Sequence, residues 1–202
     1  MKKYELTNET IKYGGKNLYR IKALIDFGNV KKGTRGGFIE KEENLSASGN
    51  AWVCENAKVY GNAQVCGNAK VSGDAWVCEN AKVYGNAWVC GNAKVYDNAL
   101  VCGNAKVSGD AWVCGNALVC GNAWVYKNID HAEINGFGTC GRHTTFFRCK
   151  DKTVKVSCGC FLGTIDEFRN QVKNTREGKI AKEYLMIADL MELHFSEDGY
   201  DD

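Results

Sequence analysis

Residues 51–126 repeat one six-residue phrase, Ala-x-Val-x-Gly-Asn, thirteen times without interruption. No other feature of the chain limits its fold as tightly. A short fixed period over so long a stretch produces a solenoid, because each unit buries its apolar face only by stacking on its neighbours. Ala and Val alternate with period two, so both lie on one face of a short strand, and the Gly-Asn pair then turns the chain. The Gly column also admits Glu55, Glu79, Asp97 and Lys127, whereas the next column is Asn or Asp at every position from Asn50 to Asn128. If one turn residue takes positive φ, this pattern points to the Asn/Asp column, whose side chains tolerate the left-handed region better than Glu or Lys.

The repeat is electrically neutral, with five Lys/Arg and five Asp/Glu. Residues 1–50 carry ten against six, so +4, and residues 127–202 carry eleven against thirteen, so −2. A neutral rod neither tracks phosphates nor mimics them, so nucleic acid is not an expected partner. No apolar run reaches the ~20 residues of a membrane span, and Met1-Lys2-Lys3-Tyr4 is not followed by an apolar signal core. The expectation is a cytoplasmic protein without membrane contact. Of the eleven cysteines, Cys54, Cys66, Cys78, Cys90, Cys102 and Cys114 recur every twelve residues and alternate with Tyr or Ser, with Cys120 the one exception. That pattern describes free thiols filling a slot in each coil, not a disulfide framework.

A six-residue unit of this kind resembles the hexapeptide-repeat proteins, the bacterial transferase hexapeptide class. The resemblance implies a mainly β protein, a left-handed parallel β-helix with three hexapeptides per coil, and a homo-oligomer, a trimer above all. It also sorts the outward positions into three stacks. One holds Trp52, Lys70, Trp88, Lys106 and Trp124, and a second holds Lys58, Trp76, Lys94 and Trp112. The third, Gln64, Lys82, Leu100 and Leu118, lies beside Cys66, Tyr84, Cys102 and Cys120. Its upper end is apolar and calls for cover from a partner subunit or from the carboxy-terminal segment. Alternating Trp and Lys suit cation–π contacts worth roughly 0.5–1 kcal/mol each. Trp52, Trp76, Trp88, Trp112 and Trp124 are therefore candidate binding residues, weighed against simple strand filling.

The segments on either side read as caps, giving boundaries at 1–43, 44–130 and 131–202. Tyr19, Ile21, Ala23, Ile25 and Phe27 alternate as a strand, with Gly28-Asn29 and Gly36-Gly37 as turns. Lys31-Lys32-Gly33-Thr34-Arg35 lacks the full spacing of a phosphate-binding loop and reads as a capping loop. Near the other end, residues 143–149 and 153–158 form a β-hairpin around Lys150-Asp151-Lys152. Thr164-Ile-Asp-Glu167 is a capping box that opens a helix through about Lys173, Gly178 breaks it, and a second helix over 179–195 buries Ile180, Tyr184, Ile187, Ala188 and Met191. The acidic residues 196–202 read as frayed. Gly36-Gly-Phe-Ile-Glu40, the Gly-Asn-Ala repeats and His143-Thr-Thr-Phe-Phe, Cys158-Gly-Cys160-Phe161 and Thr164-Ile-Asp-Glu-Phe168 together resemble a set of uncharacterised phage and prophage proteins, which implies no established activity but a host cytoplasm as setting.

Chemistry is harder to find. Acyltransferases of the hexapeptide class place a His in or beside a coil, commonly with an interrupting loop. Here nothing interrupts the repeat and no His precedes His131. The three-His metal site of the γ-class carbonic anhydrases does not match His131, His143 and His194. His131 itself reads as a core or capping residue. Cys158-x-Cys160 with Cys140, Cys149 and His143 is a weak zinc candidate, because the spacing is not that of a knuckle. Arg142-His143-Thr144 beside Cys158 offers a small polar pocket for an anion, or a thiol activated by His. The expected function is a non-catalytic scaffold that binds a protein or a small molecule and needs no cofactor. The competing expectation is an acyl-CoA-dependent acyltransferase.

Overall fold

The computed structural model describes residues 2–139 and 141–196. The acidic tail from residue 197 onward and Cys140 lie outside the described residues. The chain is mainly β, a solenoid of about 5 turns followed by two helices. The repeat supplies thirteen two-residue strands, β4 (Trp52–Val53) through β16 (Trp124–Val125). All but the last three pair in parallel with the strand 18 residues further on, for example Trp52↔Lys70, Lys58↔Trp76 and Gln64↔Lys82. Three ladders result, and they hold the three outward stacks expected from the repeat.

The Ala and Val columns are the core: every one of these side chains is sealed from solvent. Each buried Val contributes about 1.5–3 kcal/mol. Backbone bonds tie coil to coil, as in Asn50 N–H to Gly67 O (2.8 Å), Trp52 N–H to Ala69 O (3.0 Å) and Cys54 N–H to Val71 O (2.9 Å).

The turns correct one expectation. Positive φ falls on the Gly column, including Glu55 (57°), Glu79 (58°) and Asp97 (57°), and not on the Asn column. The Asn residues are held for another reason. Their side-chain amides bond up the solenoid, Asn50 to Asn68, Asn68 to Asn86 and Asn86 to Asn104 at 3.0 Å each, then Asn104 to Asn122 at 3.3 Å. The acidic residues in left-handed positions also recover something. Each carboxylate accepts the N–H of the turn residue one coil above: Glu55 from Gly73, Glu79 from Asp97 (3.1 Å) and Asp97 from Gly115 (2.8 Å).

At the bottom, β1 (Tyr4–Tyr13) and β2 (Lys16–Ala23) form a hairpin, and β3 (Arg35–Ile39) joins it to the Lys58 ladder. The expected strand through Phe27 stops at Ala23; Phe27 instead pairs with Val30 in a tight bend. Asp26 closes this loop by accepting from Lys31 Nζ (3.0 Å) and Lys32 N–H (2.7 Å), so the basic loop holds an internal carboxylate. Gly36 and Gly37 are strand residues and not a turn. A Cβ at Gly36 would stand 2.4 Å from Ile21 Cγ1, and one at Gly37 2.6 Å from Ala57 O, so glycine is the residue that lets β3 lie flat on the first coil.

At the top, the cap is a four-stranded antiparallel sheet, β17 (His131–Phe137), β18 (Arg142–Arg148), β19 (Val154–Cys158) and β20 (Phe161–Thr164), with α1 (Ile165–Thr175) and α2 (Gly178–His194) packed on it. The hairpin and both helices match expectation, including the Thr164–Glu167 capping box. The outer strands β17 and β20 are additional. Alternation on β18 divides the two cores: Phe147 closes the solenoid, and Phe146 packs under the helices.

Glu79→Ala gives up the carboxylate bond and keeps the left-handed backbone, whereas Glu79→Gly gives up the bond and relieves the backbone. Alanine is expected to be the less stable of the two by about 1 kcal/mol. Urea midpoints measure the difference, and equal midpoints would remove the strain argument.

Candidate functional site

The outward tryptophans do not form one equivalent set. Trp52, at the foot of its stack, is 4% exposed and walled by Tyr4 and Phe27, whose ring centroids lie 6.5 and 5.4 Å away. It is a core residue, which withdraws it from the candidate binding face. Trp76 is half-buried beneath Tyr13 of the amino-terminal hairpin, ring centroids 4.9 Å apart. Lys94 Nζ sits between Trp76 and Trp112, 4.5 and 4.0 Å from their centroids. Lys106 Nζ sits in the same way between Trp88 (4.9 Å) and Trp124 (5.4 Å). Trp88, Trp112 and Trp124 keep 44%, 45% and 38% of their surface exposed. Trp88 is further fixed by an Nε1–H bond to Ser72 Oγ at 3.0 Å.

The Trp88–Lys106–Trp124 stack also meets the carboxy-terminal cap. The β18–β19 turn leans over its upper end, where Cys149 bridges Ala123 and Lys150 N–H donates to Asn122 O at 3.2 Å. The result is a groove of about 750 Å³. Two indoles and the Lys106 ammonium line its length, Asn86, Asn104 and Asn122 of the amide ladder form one edge, and Lys150 and Asp151 close the top. A second hollow of about 330 Å³ continues around Trp124 to Tyr126, Arg148 and Lys152. The Thr153 hydroxyl (2.6 Å) and the Thr153 N–H (3.1 Å) hold the Asp151 carboxyl below its ordinary range, so it stays charged at neutral pH. Asp130 is engaged by Arg148 at 3.3 Å. Flat apolar rings, ammonium groups and a line of amides make a surface suited to recognition. None of these groups is a poised nucleophile or base.

The pocket expected around Arg142 and His143 is split by the pleat of β18. Arg142 faces the helices and lines a hollow of about 380 Å³ with Cys158, Cys160, Phe161, Arg176 and Tyr184. His143 faces the solenoid. Its Nδ1 lies 2.7 Å from Glu133 Oε1 and its Nε2 3.1 Å from Asn116 Nδ2. Both ring nitrogens are thus engaged, Nδ1 by the Glu133 carboxylate and Nε2 by the Asn116 amide. Cys158 Sγ instead accepts from Thr144 Oγ1 at 3.2 Å, so the His-activated thiol does not assemble.

Cys158 is buried and Cys160 exposed on either side of Gly159, which turns the chain at φ 60°. Among the described residues no three His, Cys, Asp or Glu side chains converge as metal ligands. His131 opens β17 opposite Phe147, with Nδ1 buried and unpartnered and its pKa lowered by burial. The patch at Leu100 and Leu118 is partly covered by the cap, where Thr145 Oγ1 accepts from Leu118 N–H at 3.0 Å.

Lys150, Asp151 and the Asn edge were not among the candidates read from the sequence. Lys150-Asp151-Lys152 was legible as a turn, but its position over Trp124 depends on how the cap seats on the last coil. Glu133 was missed because β17 was missed.

Residues 63–79 match the family described as a YdcK beta solenoid repeat. No curated protein matches the chain. Among the described residues no helix is long and apolar enough to cross a membrane.

Stability separates the tryptophans. Trp52→Ala is expected to cost about 3–5 kcal/mol. Trp88→Ala and Trp124→Ala should each cost about 1 kcal/mol, chiefly the lost contact to Lys106. Denaturation midpoints check this, and a large loss at Trp124 would make it a core residue like Trp52.

Proposed function

We propose that this protein is a non-catalytic scaffold that binds a partner through the Trp88–Lys106–Trp124 groove. The observation that carries the reading is the groove itself, where exposed indoles flanking an ammonium meet a turn held rigidly over them. It suits a partner surface or small molecule with a flat apolar face and a polar or anionic edge. The coils below are a spacer that sets the distance between the two capped ends.

The finer description goes with this reading. The coil winds left-handed with three hexapeptides per turn, as in the hexapeptide-repeat class, supported by strand partners 18 residues apart, three times six. The protein acts in the cytoplasm as a phage-encoded homotrimer on a host partner, with counter-defence as its role. The resemblance to phage and prophage proteins supports that setting.

The test is retention of a stoichiometric partner by the wild type but not by Trp88→Ala/Trp124→Ala, with Trp112→Ala as the control that still binds. Partner retention by the double variant would overturn the groove as the site. A monomer mass by light scattering would overturn the trimer.

An acyl-CoA-dependent acyltransferase is the second reading. It is favoured by one observation, His143 oriented by Glu133 where the cap meets the last coil. The Nε2 that would act as base is already engaged by the Asn116 amide, which ranks this reading second. Calorimetry with acetyl-CoA is expected to show no binding; measurable heat, abolished in His143→Ala, would reverse the ranking.

A further inference from the structure

The cysteine column contains an irregularity that the binding groove does not use. One coil above four of the repeat cysteines stands a residue that is not cysteine: Ser72 over Cys54, Tyr84 over Cys66, Tyr96 over Cys78 and Ser108 over Cys90. Such alternation keeps thiols of one column about 9.6 Å apart, two coil spacings, which no disulfide spans. Cys102 breaks the rule because Cys120 stands directly above it. Their strands pair in register, Leu100↔Leu118 and Val101↔Val119, and Cys102 N–H donates to Val119 O at 3.0 Å. One coil spacing is about 4.8 Å, inside the 4.4–6.8 Å Cα window of a disulfide. Cys102 is half-exposed and Cys120 is buried beneath the cap.

We propose that Cys102 and Cys120 are a reactive dithiol, a modification site that accepts small-molecule disulfides and closes to an intramolecular bridge. Cys102 is the attacking group. The adjacent Cys120 thiol and, more weakly, the Tyr84 hydroxyl hold its pKa below the ordinary thiol range, while the neighbouring Cys102 and burial push Cys120 upward. The Cys102 thiolate attacks one sulfur of the incoming disulfide, forming a mixed disulfide and releasing one small thiolate, which takes up a proton. Cys120 then loses its proton, attacks Cys102 Sγ and displaces the second small thiol. The net change is two protein thiols and one small disulfide converted to one protein disulfide and two small thiols. Half-exposed attacker and buried resolver is the arrangement this sequence requires.

Full-length protein treated with oxidised glutathione, acid-quenched and mapped by mass spectrometry without reduction tests the proposal. The wild type should yield the peptides of Cys102 and Cys120 joined. Exposed Cys160 should retain a glutathione adduct and serves as the internal reference. Cys120→Ser should accumulate the adduct on Cys102, forming it roughly fivefold faster than Cys66 forms one. A bridge from Cys120 to Cys149, the buried thiol that also neighbours it, would overturn the assignment. So would Cys102 reacting no faster than Cys66 in the Cys120→Ser protein, which keeps the test independent of whether the bridge closes.

Discussion

The structure depends on parallel stacking of coils through backbone bonds at an 18-residue step. Once coil lies on coil at about 4.8 Å, every column of the sequence becomes a vertical stack of like residues, and each must tolerate its own copy above and below. Ala and Val satisfy this inward, where uniform small and medium side chains interlock without voids. The turn column satisfies it by having no side chain: a Cβ at Gly85 would stand 3.0 Å from Gly103 N, and one at Gly91 3.0 Å from Gly109 N. Where Glu or Asp replaces this Gly, its carboxylate bonds the N–H of the coil above. At the positions of this column that take positive φ, the substitution is thus confined to Glu and Asp, which carry an acceptor of the right reach; Lys127, beyond the last full coil, is extended.

Stacking also explains the amides and the alternation outside. An Asn side chain both donates and accepts, so identical Asn residues at one coil spacing bond one another indefinitely. Identical lysines would repel. Alternating Lys with Trp places each ammonium against aromatic faces instead, as Lys94 and Lys106 show. The ladders must end somewhere, and the ends are where the caps attach. Below, Asn44 donates to Gly61 O (3.1 Å) and Ala63 O (2.9 Å) of the first coils. Above, Asn116 turns its amide to His143, and Asn122 gives its carbonyl to Lys150.

How much of this was readable in the sequence follows from the same physics. The core columns and both helices were legible because each follows a local period repeated often enough to outweigh exceptions, and the three outward stacks followed from the resemblance to the hexapeptide-repeat class. The positive-φ column was misread because Glu and Lys appear in it. Local tolerance argued against them, and the bond that compensates Glu comes from a residue 18 positions away. Gly36-Gly37 looked like a turn for a similar reason, since the close approach of Ile21 and Val53 that demands glycine is tertiary. Strand β17, with Glu133 and Asn135 among its residues, has no clean alternation to announce it. Among the candidate residues, Trp88 and Trp124 could be named, while Trp52 could not be separated from them until Phe27 and Tyr4 were placed.

A regular solenoid is a poor place to evolve a site, because each position is copied into its neighbours' environment and a change in one coil disturbs two others. The junction with a non-repeating cap escapes that constraint. There Lys150 and Asp151 face a Trp/Lys stack without needing to be repeated, His143 and Glu133 end an amide ladder, and Cys120 lies buried under the cap and above Cys102. The features with chemical individuality gather within about two coils of this junction. In the regular coils below it, the Ala and Val columns and most of the Asn column are committed to the copies above and below them.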